Sequence, residues 1–274
     1  MSVRRKDKIS KRNTKVLMII IVALIAVYAV NIYVTMGLNN YLSAKLFASA
    51  EATRPANIKL VELVDKSCDK CFNILNLASV IRQSSIVKVT DEKVVDYTSF
   101  EGKSLIGKYN IQKVPALIAT GEIDKSDIAS AWTQLGGVKT GDAIVMDYLP
   151  YLNLSTKKID GVVSLINIIN TNCPQCYNVS VHKSVLAGSF NVYLDDEVTY
   201  DLNSNEAKEI IVKYNIFNIP TIIISPEMGK YPDFQSVWSE VGSTENDGSF
   251  VFRNTDFMKQ QGGYFDLINN SFIK

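Results

Sequence analysis

The chain has 274 residues, of which 47% are hydrophobic and 21% charged, with a formal net charge of +1. That length holds one large domain or two ordinary ones and buries a core in either case. The small net charge hides a division: residues 1–15 carry seven Lys and Arg side chains against Asp7, a net of +6, which leaves the remainder at −5. A mildly acidic remainder without a basic stripe argues against a nucleic-acid partner.

Residues 16–38 carry no charge. At ~1.5 Å per residue, a helix of this length reaches about 35 Å, enough to cross a hydrocarbon core of about 30 Å. Tyr28 and Tyr33 suit an interfacial belt at its far end, and the basic cluster of residues 1–15 belongs on the cytoplasmic side, so everything after the helix is expected outside the cytoplasm. A cleaved signal peptide is the competing reading, because Ala48-Ser49-Ala50 resembles a cleavage site. The apolar run exceeds the ~7–15 residues of such peptides, and Ala50 lies well beyond its end, which favours a retained anchor. Residues 39–57 lack a clean period and read as a short stalk.

Residues 58–64 are apolar apart from Glu62, the pattern of a central strand buried on both faces. Cys68-Asp69-Lys70-Cys71 follows. Cys71, Ile74, Leu75, Ala78 and Ile81 recur at helical spacing, so the motif is expected to open an amphipathic helix. A strand over 87–97 and a helix over 100–109 come next, then Val114-Pro115 before a strand at 116–119. Residues 128–135 are expected as a further strand and 142–149 as a closing helix.

The chain then repeats itself. Cys173-Pro174-Gln175-Cys176 stands 105 residues after the first dithiol, and Lys213-Tyr214-Asn215-Ile216 before Ile219-Pro220 copies Lys108-Tyr109-Asn110-Ile111 before Val114-Pro115. Each proline lies 44 residues after its second cysteine, and Asp96 with Asp201 and Glu101 with Glu206 keep the same offset. A tandem duplication explains this, with domains over 58–150 and 159–274 joined by a linker at 151–158. In the second copy, strands are expected over 162–169, 198–200 and 221–224, and helices up to residue 186 and over 205–214.

Strand, C-x-x-C, helix, strand and helix, then an apolar-Pro dipeptide opening an antiparallel pair, is the pattern that thioredoxin-like domains show, and both halves resemble it. The tandem arrangement looks like the two-domain protein disulfide oxidoreductases of archaea with a membrane anchor added. Cys173-Pro174-Gln175-Cys176 is similar to the dithiol of glutaredoxins, and neither half carries the Trp-Cys-Gly-Pro-Cys of thioredoxin itself. The resemblance implies an α/β fold of two thioredoxin-like domains, each with a central mixed sheet flanked by helices, after one transmembrane helix. It also implies cis peptide bonds before Pro115 and Pro220, no cofactor and no metal. Val114 and Ile219 would then offer their backbone groups to an extended substrate.

The attacking species in such chemistry is the thiolate. A first cysteine at a helix N-terminus is stabilised by the positive end of the dipole, which assigns attack to Cys68 and Cys173 and resolution to Cys71 and Cys176. The family carries an acidic residue six positions before the first cysteine; Glu62 fills that place in the first copy and Asn167 in the second, so the two sites are not expected to be equivalent. Lys70 would favour a Cys68 thiolate and Asp69 would oppose it. The expected function is a membrane-anchored thiol–disulfide oxidoreductase for exported cysteine-containing proteins, recharged by an unidentified redox partner. Two alternatives stand beside it: a redox-inactive binding module held by structural disulfides, and a relay passing electrons to one dedicated partner. A shared zinc site is disfavoured by the whole domain between the pairs. His182 reads as a packing or surface residue, and Trp132 and Trp238 as core aromatics.

Overall fold

The computed structural model describes the backbone of residues 3–274 and the side chains of residues 15–126 and 128–274. The side chains of the basic cluster before Lys15 therefore lie outside the described residues, as do Met1 and Ser2 entirely. Helix α1 (Val3–Thr53) is a compact unit by itself with residues up to Pro55, and residues 56–274 form a second unit. Every described side chain of α1 is solvent-exposed, and its stretch Lys15–Thr53 is apolar and long enough to cross a membrane, with a mean hydropathy of 2.7 over its most apolar window. The expected stalk is mostly helix: residues 39–53 hold neither Gly nor Pro, and α1 stops only as the chain approaches Pro55, which disfavours helical backbone at Arg54.

The first half of the second unit runs β1 (Ala56–Val64), α2 (Ile74–Gln83), β2 (Val87–Asp96), α3 (Phe100–Tyr109), β3 (Lys113–Gly121), α4 (Ser126–Gln134), β4 (Val138–Thr140), β5 (Ala143–Asn153) and β6 (Ile159–Asp160). Its sheet has the order β2-β1-β3-β5-β4, with β6 paired to β5. β1 runs parallel to β2 and antiparallel to β3, which is antiparallel to β5. Both faces of β1 are covered, as its apolar run requires: Ile58 and Leu60 pack with Ile74, Leu77, Ala78 and Ile81 of α2, while Leu63 packs with Val95 and Tyr109.

Two expectations in this half are reversed. Residues 128–135 lie mostly in helix α4, where Ile128 and Trp132, four apart, are buried on one face among Ala, Ser and Gln. Residues 142–149 belong mostly to strand β5, whose Ile144, Val145 and Met146 pair with β3 inside the sheet, with β4 on their other side. Short apolar runs do not separate helix from strand by period alone.

The second half repeats the order with β7 (Val162–Ile169), α5 (Ser180–Phe190), β8 (Tyr193–Asp201), α6 (Asn205–Lys213), β9 (Asn218–Ile219) and β10 (Thr221–Ile224). A 3-10 turn at Pro226–Lys230 leads to α7 (Pro232–Trp238), β11 (Gly242–Thr244), β12 (Phe250–Phe252), α8 (Thr255–Gln260), β13 (Tyr264–Asp266) and β14 (Ser271–Ile273). The main sheet, β11-β12-β10-β7-β8, matches that of the first half strand for strand, and β14-β13-β9 form a small separate sheet. Each half is thus an α/β unit of thioredoxin-like topology. Trp132 and Trp238 are buried, each indole N–H donating to a backbone carbonyl.

The expected linker is itself structured. Residues 151–153 end β5 and turn back into β6, with Tyr151 opposite Asp160 and Leu152 opposite Ile159. β13 and β14 form the same hairpin at the end of the second half. Tyr151 and Tyr264, and Leu154 and Leu267, stand 113 residues apart. Asn153 and Asp266 accept the N–H groups of the two turns, and Lys157 and Asn270 both take left-handed backbone at φ 60° and 50°.

Candidate functional site

Cys68 with Cys71 and Cys173 with Cys176 are disulfide-bonded, each pair in the loop between the first strand and first helix of its half. The loops open with equivalent turns: Asp65 Oδ1 accepts the Ser67 N–H at 2.8 Å, and Asn170 Oδ1 that of Asn172 at 3.0 Å. They also close alike, because Asn73 accepts the Leu75 N–H and Asn178 that of Ser180. Asn73 is the N-cap of α2 and the Asn178 turn leads into α5, so both helices begin after the dithiols. The cysteines therefore do not occupy a helix N-terminus, and Pro174 is not in a first helical turn. The dipole effect falls off within one turn, so it gives Cys68 and Cys173 little help.

The peptide bonds before Pro115 and Pro220 are cis, as is the unanticipated Leu149–Pro150 bond. Cys71 Sγ lies 3.9 Å from the Val114 carbonyl oxygen. Cys68, Cys71 and Pro115 line one open depression with Val64, Phe72 and Val94. The second site is more closed: Cys173 is only 6% exposed, whereas Cys68 and Cys71 are half-buried. Lys70 is committed elsewhere, its Nζ lying 2.6 Å from Asp195 Oδ2 on β8 of the second half. The positive charge expected to favour a Cys68 thiolate is thus shared with a carboxylate.

Val114 and Ile219 do not offer free backbone edges. Val114 is the ladder partner of Leu152, and Ile219 that of Phe265. Leu154 N–H donates to the Gln112 carbonyl at 2.9 Å, and Leu267 N–H to that of Phe217 at 2.8 Å. Residues two apart on a strand direct their peptide groups to the same edge, so Val114 and Ile219 face these hairpins. On the other side of each dithiol, Phe72 N–H donates to the Pro150 carbonyl at 2.7 Å and Tyr177 N–H to that of Gly263 at 2.9 Å. In each half the hairpin runs from the residue after the second cysteine to the residue before the cis proline. The 113-residue recurrence of Tyr and Leu was the one sequence signal for it.

Glu62 sits on β1, on the α2 face and two residues from Val64 of the depression. It is fully buried, and neither carboxylate oxygen has a hydrogen-bond partner. Burial, reinforced by the neighbouring Glu92 carboxylate, pushes its pKa up to about 7. Such a group exchanges a proton near neutral pH. In the second half, Asn167 donates to Glu197 Oε1 at 3.0 Å and to Thr199 Oγ1 at 3.1 Å, and Lys183 pairs with Glu197 at 2.6 Å. Glu92 and Glu197 hold the same place in the two copies, a correspondence that sequence reasoning missed. Where the first half keeps a buried acid, the second keeps a neutral amide that cannot take a proton.

His182 is a core residue, packed against Phe252 with ring centroids 4.4 Å apart, and burial lowers its pKa to about 4. It belongs to the aromatic layer that includes Tyr177 and Phe257 rather than to the dithiol. Among the described residues, no group of three or more His, Cys, Asp or Glu side chains converges as a metal site.

No family model and no curated protein sequence matches the chain. Among solved structures, it is similar to the alkylhydroperoxide reductase AhpF of Enterococcus faecalis at 14% identity, over 66% of this chain and 86% of that one, with a TM-score of 0.21. It is also similar to a protein disulfide oxidoreductase from Aeropyrum pernix at 17% identity over 64% and 78% of the chains, with a TM-score of 0.18. Human ERp44 in a zinc-bound form matches at 16% identity over 64% and 49%, with a TM-score of 0.19. Likenesses at these identities and scores carry no weight on chemistry. Strand order, a cis proline and an equivalently placed dithiol give each half its thioredoxin-like character.

Proposed function

We propose that this chain is a membrane-anchored thiol–disulfide oxidoreductase acting on cysteine-containing proteins outside the cytoplasm. The observation that carries the reading is the meeting of a C-x-x-C disulfide with a cis proline at Cys71 and Val114, with a second disulfide and a second cis proline at the equivalent chain positions of the other half. Helix α1 anchors the chain through residues 16–38, with the basic residues before Lys15 on the cytoplasmic side. Exposed apolar surface on that scale calls for a lipid cover.

In the oxidising direction, a substrate thiolate attacks Cys68 Sγ, the Cys68–Cys71 bond breaks, and Cys71 leaves as a thiolate that takes a proton. A second substrate thiolate then attacks its partner sulfur in the mixed disulfide. The substrate disulfide forms, Cys68 leaves, and two electrons have passed to the protein. Reduction runs the same steps backwards, with Cys68 as nucleophile and Cys71 as resolving thiol. Glu62, titrating near pH 7, exchanges the proton that Cys71 gains or loses. Cys173 and Cys176 take the same roles in the second half, where Asn167 provides no proton.

The burial of Cys173 favours a second reading for that half alone, a disulfide that is chiefly structural. The test is disulfide exchange between the full chain in detergent and a reduced, unfolded protein. The wild type should exchange and the Cys68→Ser/Cys173→Ser double variant should not; equal behaviour of the two would reject the enzyme reading.

A further inference from the structure

Resting on the thiol exchange read above, we propose that the two hairpins are specificity arms: each occupies, as an intramolecular strand, the edge beside its dithiol where an extended polypeptide would pair. Small disulfides and thiols then reach the sulfurs directly, whereas a polypeptide must first displace the arm.

The arms are not incidental turns. Three contacts recur at fixed offsets: Phe72 with Pro150 and Tyr177 with Gly263, Gln112 with Leu154 and Phe217 with Leu267, and Val114 with Leu152 and Ile219 with Phe265. The duplicated chain has kept the arm on the dithiol in both copies, although the residues along it have largely changed. The path into the arm has changed too, since α8 precedes it in the second half alone.

The two arms differ in how they are held. Residues 150–153 continue β5 directly, and Leu152 is 9% exposed, so the first arm is part of the main sheet. Residues 264–266 pair only with Asn218 and Ile219 and with their own β14, outside the main sheet. The second arm is entered through Gly262 and Gly263, at φ +133° and +115°, backbone that side chains rarely adopt. A Cβ on Gly262 would lie 3.1 Å from the Gln175 carbonyl oxygen, so the entry also lies against the second dithiol loop. Tyr264 is buried in the core as Leu152 is, so the difference lies in the backbone: an arm that pairs through two ladder residues outside the main sheet and is hinged on two glycines is the one built to leave. This arrangement accords with the closed state of Cys173.

The test compares exchange rates of the full chain with dithiothreitol and with a reduced, unfolded polypeptide, in the wild type, in Phe265→Pro, which removes the arm's N–H, and in the milder Phe265→Gly. Loosening the arm should raise the polypeptide rate about tenfold more than the dithiothreitol rate. Equal changes in both rates, or no change in either, would overturn the arm while leaving the oxidoreductase reading intact. A chain that exchanges with neither reagent would overturn both. Should the variants not fold, amide hydrogen exchange in the unaltered protein decides. Excess polypeptide should speed exchange at Phe265 and not at Ile222, and unchanged exchange at Phe265 would overturn the proposal.

Discussion

Replacing Glu62 by Gln keeps the shape of the side chain and removes its ionisation. The carboxyl is fully buried, has no hydrogen-bond partner and faces Glu92, and its pKa rises from the ordinary 4.5 to about 7. A carboxyl whose folded pKa is raised contributes stability that is complete below pH 4.5 and is lost as pH climbs through 7, because the folded chain holds the proton longer than the unfolded one. A shift of this size corresponds to about 3 kcal/mol. Denaturant unfolding of residues 56–274, with both disulfides oxidised, should therefore show Glu62→Gln and the wild type nearly equal at pH 4.5. At pH 8 the variant should be more stable by about 3 kcal/mol. The same substitution should flatten the pH dependence of exchange at the first dithiol, which separates a proton carrier from a buried acid of no chemical consequence. A stability difference that stays constant with pH would refute the placement of Glu62 as a buried, unpartnered acid.

His182 has the opposite sign. Its folded pKa of about 4 lies below the ordinary 6.5, so its neutral form is favoured by the fold and stability drains away as pH falls through that window, by up to about 3 kcal/mol. His182→Leu, which installs the residue that Leu77 provides at the equivalent place of the first half, should remove this acid sensitivity in unfolding at pH 7.5 and 4.5. In reduced Cys71→Ser, Cys68 should be alkylated by iodoacetamide at pH 6 no faster than a cysteine of the unfolded chain, because the sulfur precedes α2 and Lys70 is tied to Asp195. A rate at pH 6 well above that of the unfolded chain would show a thiolate stabilised by something other than the helix.

Much of the fold was legible because duplication supplied a control: a motif read weakly at Cys173 was reinforced by its copy at Cys68, and the apolar runs of β1, β3, β7 and β10 stood out as strands. The burial of Glu62 followed from its position inside one such run. What escaped was local chemistry. α2 and α5 start three and four residues after their second cysteine: Asn73 caps α2, which outweighs a face that extends back to the cysteine, and a turn at Asn178 precedes α5. The segments at 128–135 and 142–149 exchanged identities because each offers too few large apolar residues, Ile128 with Trp132 and Ile144 to Met146, for its period to show. The arms were hidden for a different reason: only Tyr151 with Tyr264 and Leu154 with Leu267 mark them, and α8 shifts the second arm out of the register of the main repeat.

The most direct test of the account is the exchange rate of the single variants Cys68→Ser and Cys173→Ser, measured with dithiothreitol, which reaches the sulfurs without displacing an arm, under identical conditions. The open depression at Cys68 and the 6% exposure of Cys173 require Cys68→Ser to lose most of the activity and Cys173→Ser to keep most of it. Full activity in Cys68→Ser would contradict the assignment of the first dithiol as the principal reactive site.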